Sequence, residues 1–221
     1  MISQKNFEES VNKFDVLEAR TDFFTLARNL ISSGFEKEAL LLILATWNFA
    51  AFRYAVKDFD IERFSNIISE LKPVLDHFKE KQLQNTIIDH YYQDVENIFD
   101  TLAKIKGVEF TGASKIMHLI NPDFFIMWDG YIRGEKPQKY YKELLVFKNG
   151  DFKYKKYEKS GAGYVLFLKD MKEKFKHLHP PRNKSLAKSI DEFNYVNITL
   201  EYQKIEKTIK LNKKNNEKTI I

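Results

Sequence analysis

The chain has no cysteine, so disulfides and thiolate metal ligands are excluded, and the redox compartment stays open. Long hydrophobic stretches are missing too. The longest apolar run, Ala39 to Ala45, is far too short to span a bilayer. The first ten residues, MISQKNFEES, lack the apolar core of a signal peptide. These absences lead us to expect a soluble cytoplasmic protein that keeps away from membranes. Strictly alternating apolar and polar runs are scarce, and no repeat, linker or composition break divides the sequence.

What is present favours helices. With 43% hydrophobic residues in 221, a substantial core can form. Thirty-six Lys and Arg against 31 Asp and Glu leave a formal charge of +5 and a pI near 9.0, which suits a polyanionic partner without requiring one. Phe7, Val11, Phe14 and Leu17 recur at helical spacing within Asn6–Arg20. Thr21 is expected to cap a second helix that Gly34 closes. The most apolar stretch, EKEALLLILATWNFAAFRY from Glu36 to Tyr54, reads as one central helix. Asp60 opens a helix that Pro73 should kink or break. A helix over Gln84–Lys104 is expected next, then a helix-rich remainder ending near Leu200. The whole reads as an all-α fold of about eight to ten helices, in one lobe or two, over residues 1–200. A basic tail, 201–221, is expected to fray.

The stretch LAKIKGVEFTGASKIMHLINPDFFIMWDGYIR, Leu102 to Arg133, carries the chemistry. Leu102, Ile105, Gly107 and Ala113 have the spacing of two short helices joined by a tight turn. In such a hairpin, backbone N–H groups at a helix start can hold a phosphate, with Lys104, Lys106 and Lys115 adding charge. An ordinary helix connection closed by a glycine gives the same spacing. Asp129 follows a turn and an apolar run, where it can cap a helix starting at Gly130. There it can equally stabilise a cationic sugar or activate a water. Trp47, Asn48, Phe52 and Arg53 are candidates to line a pocket for an extruded base, although an aromatic stripe on a helix is also ordinary core. Asn48 stands out, because a buried amide needs partners. His118 belongs to the core or to a pocket edge. No second histidine or acid stands at metal-ligand spacing from it, and no cofactor motif occurs, so neither a metal nor a cofactor is expected. Gly134–Lys159 holds eight lysines against four acids, interleaved with Tyr and Phe, and is a candidate nucleic-acid surface. Within it, LLVFK and DFKYKKY around Asn149-Gly150 allow a small β-hairpin or a basic loop.

Taken together, GVEFTGASKIMHLINPDFFIMWDGYIR resembles the helix-hairpin-helix (HhH-GPD) DNA glycosylase superfamily, whose signature is a hairpin, a turn and an aspartate at fixed distance. The likeness extends more loosely to LLLILATWNFAAFRY and AKSIDEFNYV, which look like segments of bacterial and archaeal relatives. The resemblance implies double-stranded DNA as partner, Asp129 as catalytic carboxylate, and Gly107, Gly112, Lys106, Lys115 and Arg133 on the DNA backbone. In that superfamily, the lysine of glycosylase/lyases lies 18 residues before the aspartate, and here Thr111 stands there. The resemblance therefore implies a monofunctional, hydrolytic base-excision enzyme, with Lys115, one turn beyond Thr111, as a second candidate catalytic group. The superfamily's turn carries two glycines as GxG. Glu109 replaces the second, which disfavours a phosphate there and keeps a non-catalytic binding module as the alternative.

Overall fold

Short polar residues set several of the helix starts. In the computed structural model, which describes residues 2–139, 142, 154–181 and 183–218 (backbone alone for 212–218), Asp60, Ser160 and Ser185 each accept a backbone N–H three residues on. The helices are α1 (Gln4–Leu17), α2 (Thr21–Ser32), α3 (Glu36–Trp47), α4 (Phe49–Ala55), α5 (Ile61–Asp76), α6 (Tyr92–Ala103), α7 (Glu109–Ile120), α8 (Glu135–Lys139) and α9 (Gly161–Phe175). The last, α10, runs as Leu186–Asn194, passes through a π turn at Tyr195–Thr199, and continues as Leu200–Lys218. The described residues thus form an all-α fold of ten helices with no strand, as the periodicity implies. Among them no single helix is long and apolar enough to cross a membrane.

The innermost helix is α7. From Gly112 to Ile120 every residue but Lys115 is buried, and α7 packs on α2, α3 and α6. Arg28 of α2 donates to the carbonyls of Leu119 and Ile120 at 2.7 and 3.1 Å, closing the C-terminus of α7 with a cation where the helix dipole favours one. Around this helix, α9 packs on α6 and α1 on α10, joined by rings such as Phe7, Phe175 and Phe193 at 5.2–5.8 Å.

Three expectations are corrected. The apolar stretch from Glu36 to Tyr54 is two helices: at Asn48 the chain bends by 109° between α3 and the segment Phe49–Asp58. The helix expected from Gln84 begins at Tyr92, after a 3-10 turn at Ile88–Tyr91, and the chain ahead of Gln84 is fastened to the segment before Asp129. Leu83 N–H donates to the Asp123 carbonyl at 2.9 Å, and Asn121 Nδ2 donates to Lys81 O at 3.0 Å and to Phe78 O. Of the tail expected to fray, residues 201–218 continue α10 as helix, with Glu206 and Ile209 buried. Pro73 lies inside α5, which ends three residues later at Asp76. The region 140–153, with its Asn149-Gly150 turn, lies outside the described residues.

Candidate active site

The hairpin expected from sequence joins α6 to α7. Gly107 turns the chain at φ +89°, and a Cβ there would meet Ala55 Cβ at 2.7 Å, so the position needs glycine twice over. Glu109 follows at φ +53°, a conformation side chains rarely adopt, with its carboxylate exposed. From the bend between α3 and α4, buried Asn48 reaches into this turn. Its Nδ2 donates to the carbonyls of Gly107 at 2.9 Å and Val108 at 3.1 Å. Gly112 lets the two helices meet: a Cβ on it would lie 2.9 Å from Asn48 Nδ2 and 3.0 Å from Leu44.

Side chains from α7 and α9 hold the extended segment that delivers Asp129. His118 Nδ1 bonds the Phe125 carbonyl at 2.7 Å, Tyr164 Oη donates to Ile126 O at 2.8 Å, and Ser114 Oγ accepts from Trp128 N–H at 3.1 Å. Burial, with Lys188 nearby, holds the His118 imidazole well below its usual pKa, so the neutral ring donates from Nδ1. Asp129 then emerges half-buried. Its Oδ1 accepts from the N–H groups of Tyr131 and Ile132 at 2.8 and 2.9 Å, capping a turn rather than a full helix. Its Oδ2 accepts from Thr199 Oγ1 at 2.8 Å, in the π turn of α10.

Asp129 lines two spaces that share part of their walls. A cleft of about 300 Å³ is lined by Asn48, Ala50, Ala51, Val108, Glu109, Thr111, Thr199 and Gln203. A smaller chamber of about 50 Å³ is lined by Phe14, Met127, Trp128, Ile132 and Asp191. Arg20, Trp47, Lys115, Asp129 and Tyr195 line both. The cleft is at the small end of ligand sites. The chamber has room for about two waters.

The charges in these walls are largely fixed. Arg20 clasps Glu18 through Nε and Nη2, both at 2.6 Å, and Nη2 lies 3.3 Å from Tyr195 Oη. Burial would raise the Glu18 carboxyl, but its bonds to Arg20 and Tyr195 hold it below the usual range. Burial and the bond to Glu18 push the Tyr195 hydroxyl up to about 12. Lys115 donates to the Trp47 carbonyl. Burial pulls its ammonium down to about 8, although Asp129 works the other way.

Of the residues singled out from sequence, Trp47, Asn48, Thr111, Lys115 and Asp129 therefore meet at one place. Trp47 is already engaged: Arg20 and Lys188 lie 5.6 and 5.5 Å from its ring centre, and its Nε1 donates to Arg20 O at 3.2 Å. Asn48 serves the hairpin as well as the cleft wall. The others lie apart from the two cavities. Phe52 packs on Phe59 and against Gly107, and Arg53 is exposed over Phe49 and Tyr54. His118 is buried beneath the Asp129 segment. Gly112 is buried against α3, and its N–H is spent on Val108 O at 2.9 Å, so it offers a phosphate nothing. Buried Arg133 donates to Thr111 Oγ1 at 3.1 Å and pairs with Glu135. Lys104 and Lys106 are exposed at the hairpin, Lys106 paired with Asp58 at 2.7 Å.

Sequence reasoning missed Arg20, Asp191, Tyr195 and Thr199. Only Asp191 left a trace: it shares a helical face with Ala187, four residues earlier, where an apolar residue is expected. Among the described residues no group of three His, Asp or Glu side chains could hold a metal ion. No protein-family model matches the chain, and no curated protein or solved structure is significantly similar to it.

Proposed function

We propose that the chain is a DNA N-glycosidase that hydrolyses the bond between a damaged or mismatched base and its sugar. The observation that carries this reading is the position of Asp129: a half-buried carboxylate lining both a nucleobase-scale cleft, walled in part by the hairpin residues Val108 and Glu109, and a water-sized chamber. The two backbone N–H bonds and the Thr199 hydroxyl fix the carboxylate in place. Such a group stabilises an oxocarbenium-like sugar without having to reorganise. Lys115, which lines the chamber with Asp129, adds a cation that can orient water. Thr111 lines the same cleft as Asp129, so the resemblance's aspartate and its missing-lysine position share one wall.

The test is a set of duplexes carrying 8-oxoguanine, 7-methylguanine, hypoxanthine, uracil and G·T or G·A mismatches, scored for alkali-labile strands. Release on at least one of them, lost on Asp129→Asn, is the expected result. No release on any duplex refutes the reading.

A second reading, a non-catalytic duplex-binding module, is favoured by the hairpin itself. Glu109 places a carboxylate on the turn, and Lys106 and Arg133 are already paired. Salt-dependent duplex binding that Asp129→Asn leaves intact, with no base release, is its signature.

A further inference from the structure

Asp191 is the charged group that the glycosidase reading leaves idle. It sits in the first part of α10, 3% exposed, and forms part of the wall of the chamber behind Asp129. It reaches that wall from a different helix than Lys115, so the chamber has an ammonium on α7 and carboxylates on two separate elements. The groups facing Asp191 can be named. Lys188 Nζ lies 3.5 Å from Oδ2 on its own helix, and Glu192 adjoins it there. Lys115 faces it from α7 and the Tyr164 hydroxyl from α9. Across the chamber are Asp129, Arg20 and Tyr195. Lys188 is shared: it also lies 3.6 Å from Glu192, and its ammonium is 4.5–5.5 Å from the rings of Phe14, Phe24 and Trp47. Among the described residues Asp191 therefore has one stretched ion pair, with a partner that has other attachments, and it lines the water-sized space.

We infer that Asp191 is the second carboxylate of the site and takes the proton from the water consumed in hydrolysis, leaving Asp129 to stabilise the sugar. This rests on the glycosidase reading. As the C1′–N bond breaks, its electron pair leaves with the base. The water oxygen bonds to C1′, the water's proton passes to Asp191, and the departing base takes it up. Water is consumed and both carboxylates return to their starting state. Desolvation, opposed by Lys188 and Lys115, sets the Asp191 carboxyl at about 7, where a general base works best at neutral pH. The division of labour follows from the geometry. Both oxygens of Asp129 are occupied by Tyr131, Ile132 and Thr199, whereas among the described residues the Asp191 carboxylate pairs with Lys188 alone.

The experiment has two parts on the full chain. The first needs no substrate: the Asp191 carboxyl is followed by 13C NMR through a pH titration in the wild type and in Lys115→Met. A midpoint near neutrality that moves up when Lys115 is removed is expected. A midpoint in the ordinary carboxylate range, unmoved by Lys115→Met, overturns the inference. The second part measures base release against pH on whichever duplex of the lesion set the wild type cleaves. Asp191→Asn should lower single-turnover release by about 10²–10⁴-fold and remove the rising limb near pH 7, with duplex affinity unchanged. Asp191→Glu should restore part of the rate. Folding of the variants is checked by their melting curves, and Glu192 remains to hold Lys188 in each. Wild-type release that is lost on Asp129→Asn, yet keeps its rate and pH profile in Asp191→Asn, overturns the inference and leaves the glycosidase reading standing. No wild-type release on any duplex overturns the glycosidase reading and the catalytic role together, and the titration still decides whether Asp191 and Lys115 share a proton equilibrium.

Discussion

Glu109→Gly perturbs the hairpin at its least typical point. At φ +53°, a side chain sits in left-handed backbone, which costs about 1–2 kcal/mol relative to the right-handed form. Glycine removes that strain but loses about 0.5–1 kcal/mol through the freedom of the unfolded chain. Glu109 is also the first residue of α7, where a negative charge gains about 0.3–1 kcal/mol from the helix dipole at low salt. The carboxylate is exposed and makes no hydrogen bond or ion pair with the described residues, so nothing else is lost. The gains and losses nearly cancel in dilute buffer. At high salt the dipole contribution is screened, and the variant should be more stable by about 0.5–1 kcal/mol, raising Tm by about 1–4 °C for a chain of this size. The same change removes a negative charge from the turn flanked by Lys104 and Lys106. Duplex binding should tighten, and if one more phosphate is held, the slope of log affinity against log salt should steepen by about 0.9. Differential scanning calorimetry in 0.5 M salt (about three times physiological strength) and a salt series of binding isotherms read the two effects. A fall in Tm at high salt refutes the backbone argument. Unchanged affinity across the series refutes the placement of a phosphate at this turn.

Further outcomes follow from the same geometry. Asn48→Ala strips the Gly107 carbonyl of its Asn48 bond, while the Val108 carbonyl keeps the Gly112 N–H, so a loss of about 1–3 kcal/mol in urea unfolding is expected. Gly112→Ala inserts a methyl 2.9–3.1 Å from Asn48, Leu44 and Val108 and should destabilise by about 1–3 kcal/mol, visible as a lowered Tm with an unchanged m-value. The Asp191 carboxyl is raised in the folded state, so the folded chain binds a proton that the unfolded chain has lost between pH 4 and about 7. Wild-type stability should therefore fall across that window, and Asp191→Asn should gain on the wild type as pH rises through it and hold a constant lead above. Lys115, with its ammonium at about 8, should react with an amine-selective acylating reagent at a lower pH than the exposed lysines, as mass spectrometry of labelled peptides would record.

The parts legible in sequence were those set by neighbours. Asp60, Ser160 and Ser185 cap helices a few residues away, and Gly107 marks its turn through its own φ, so local pattern suffices. Asp129 was legible as a cap for the same reason. The bend at Asn48 was not, because its amide answers to carbonyls 59 and 60 residues on, while the apolar run through it reads as unbroken helix. Likewise, Leu83 is tied to Asp123, a contact across the fold that local periodicity does not record. Within the site, Arg20, Tyr195 and Thr199 arrive from the ends of the described chain by packing alone. Asp191 marks the limit of periodicity: a polar residue on an apolar face gives the same pattern whether that face meets solvent or walls a small chamber.

The π turn in α10 carries a last consequence. A π turn is an α-helix with one residue too many, so everything after it is rotated by about 100° relative to a regular helix. Thr199 meets Asp129 because of that offset. No single substitution can undo it, since the difference is one of length and not of side chain. Deleting one residue from Tyr195–Thr199 would restore a regular helix, swing the hydroxyl off the carboxylate and re-aim the helix surface from Leu200 onward. In this region the chain should tolerate a change of letter more readily than a change of count.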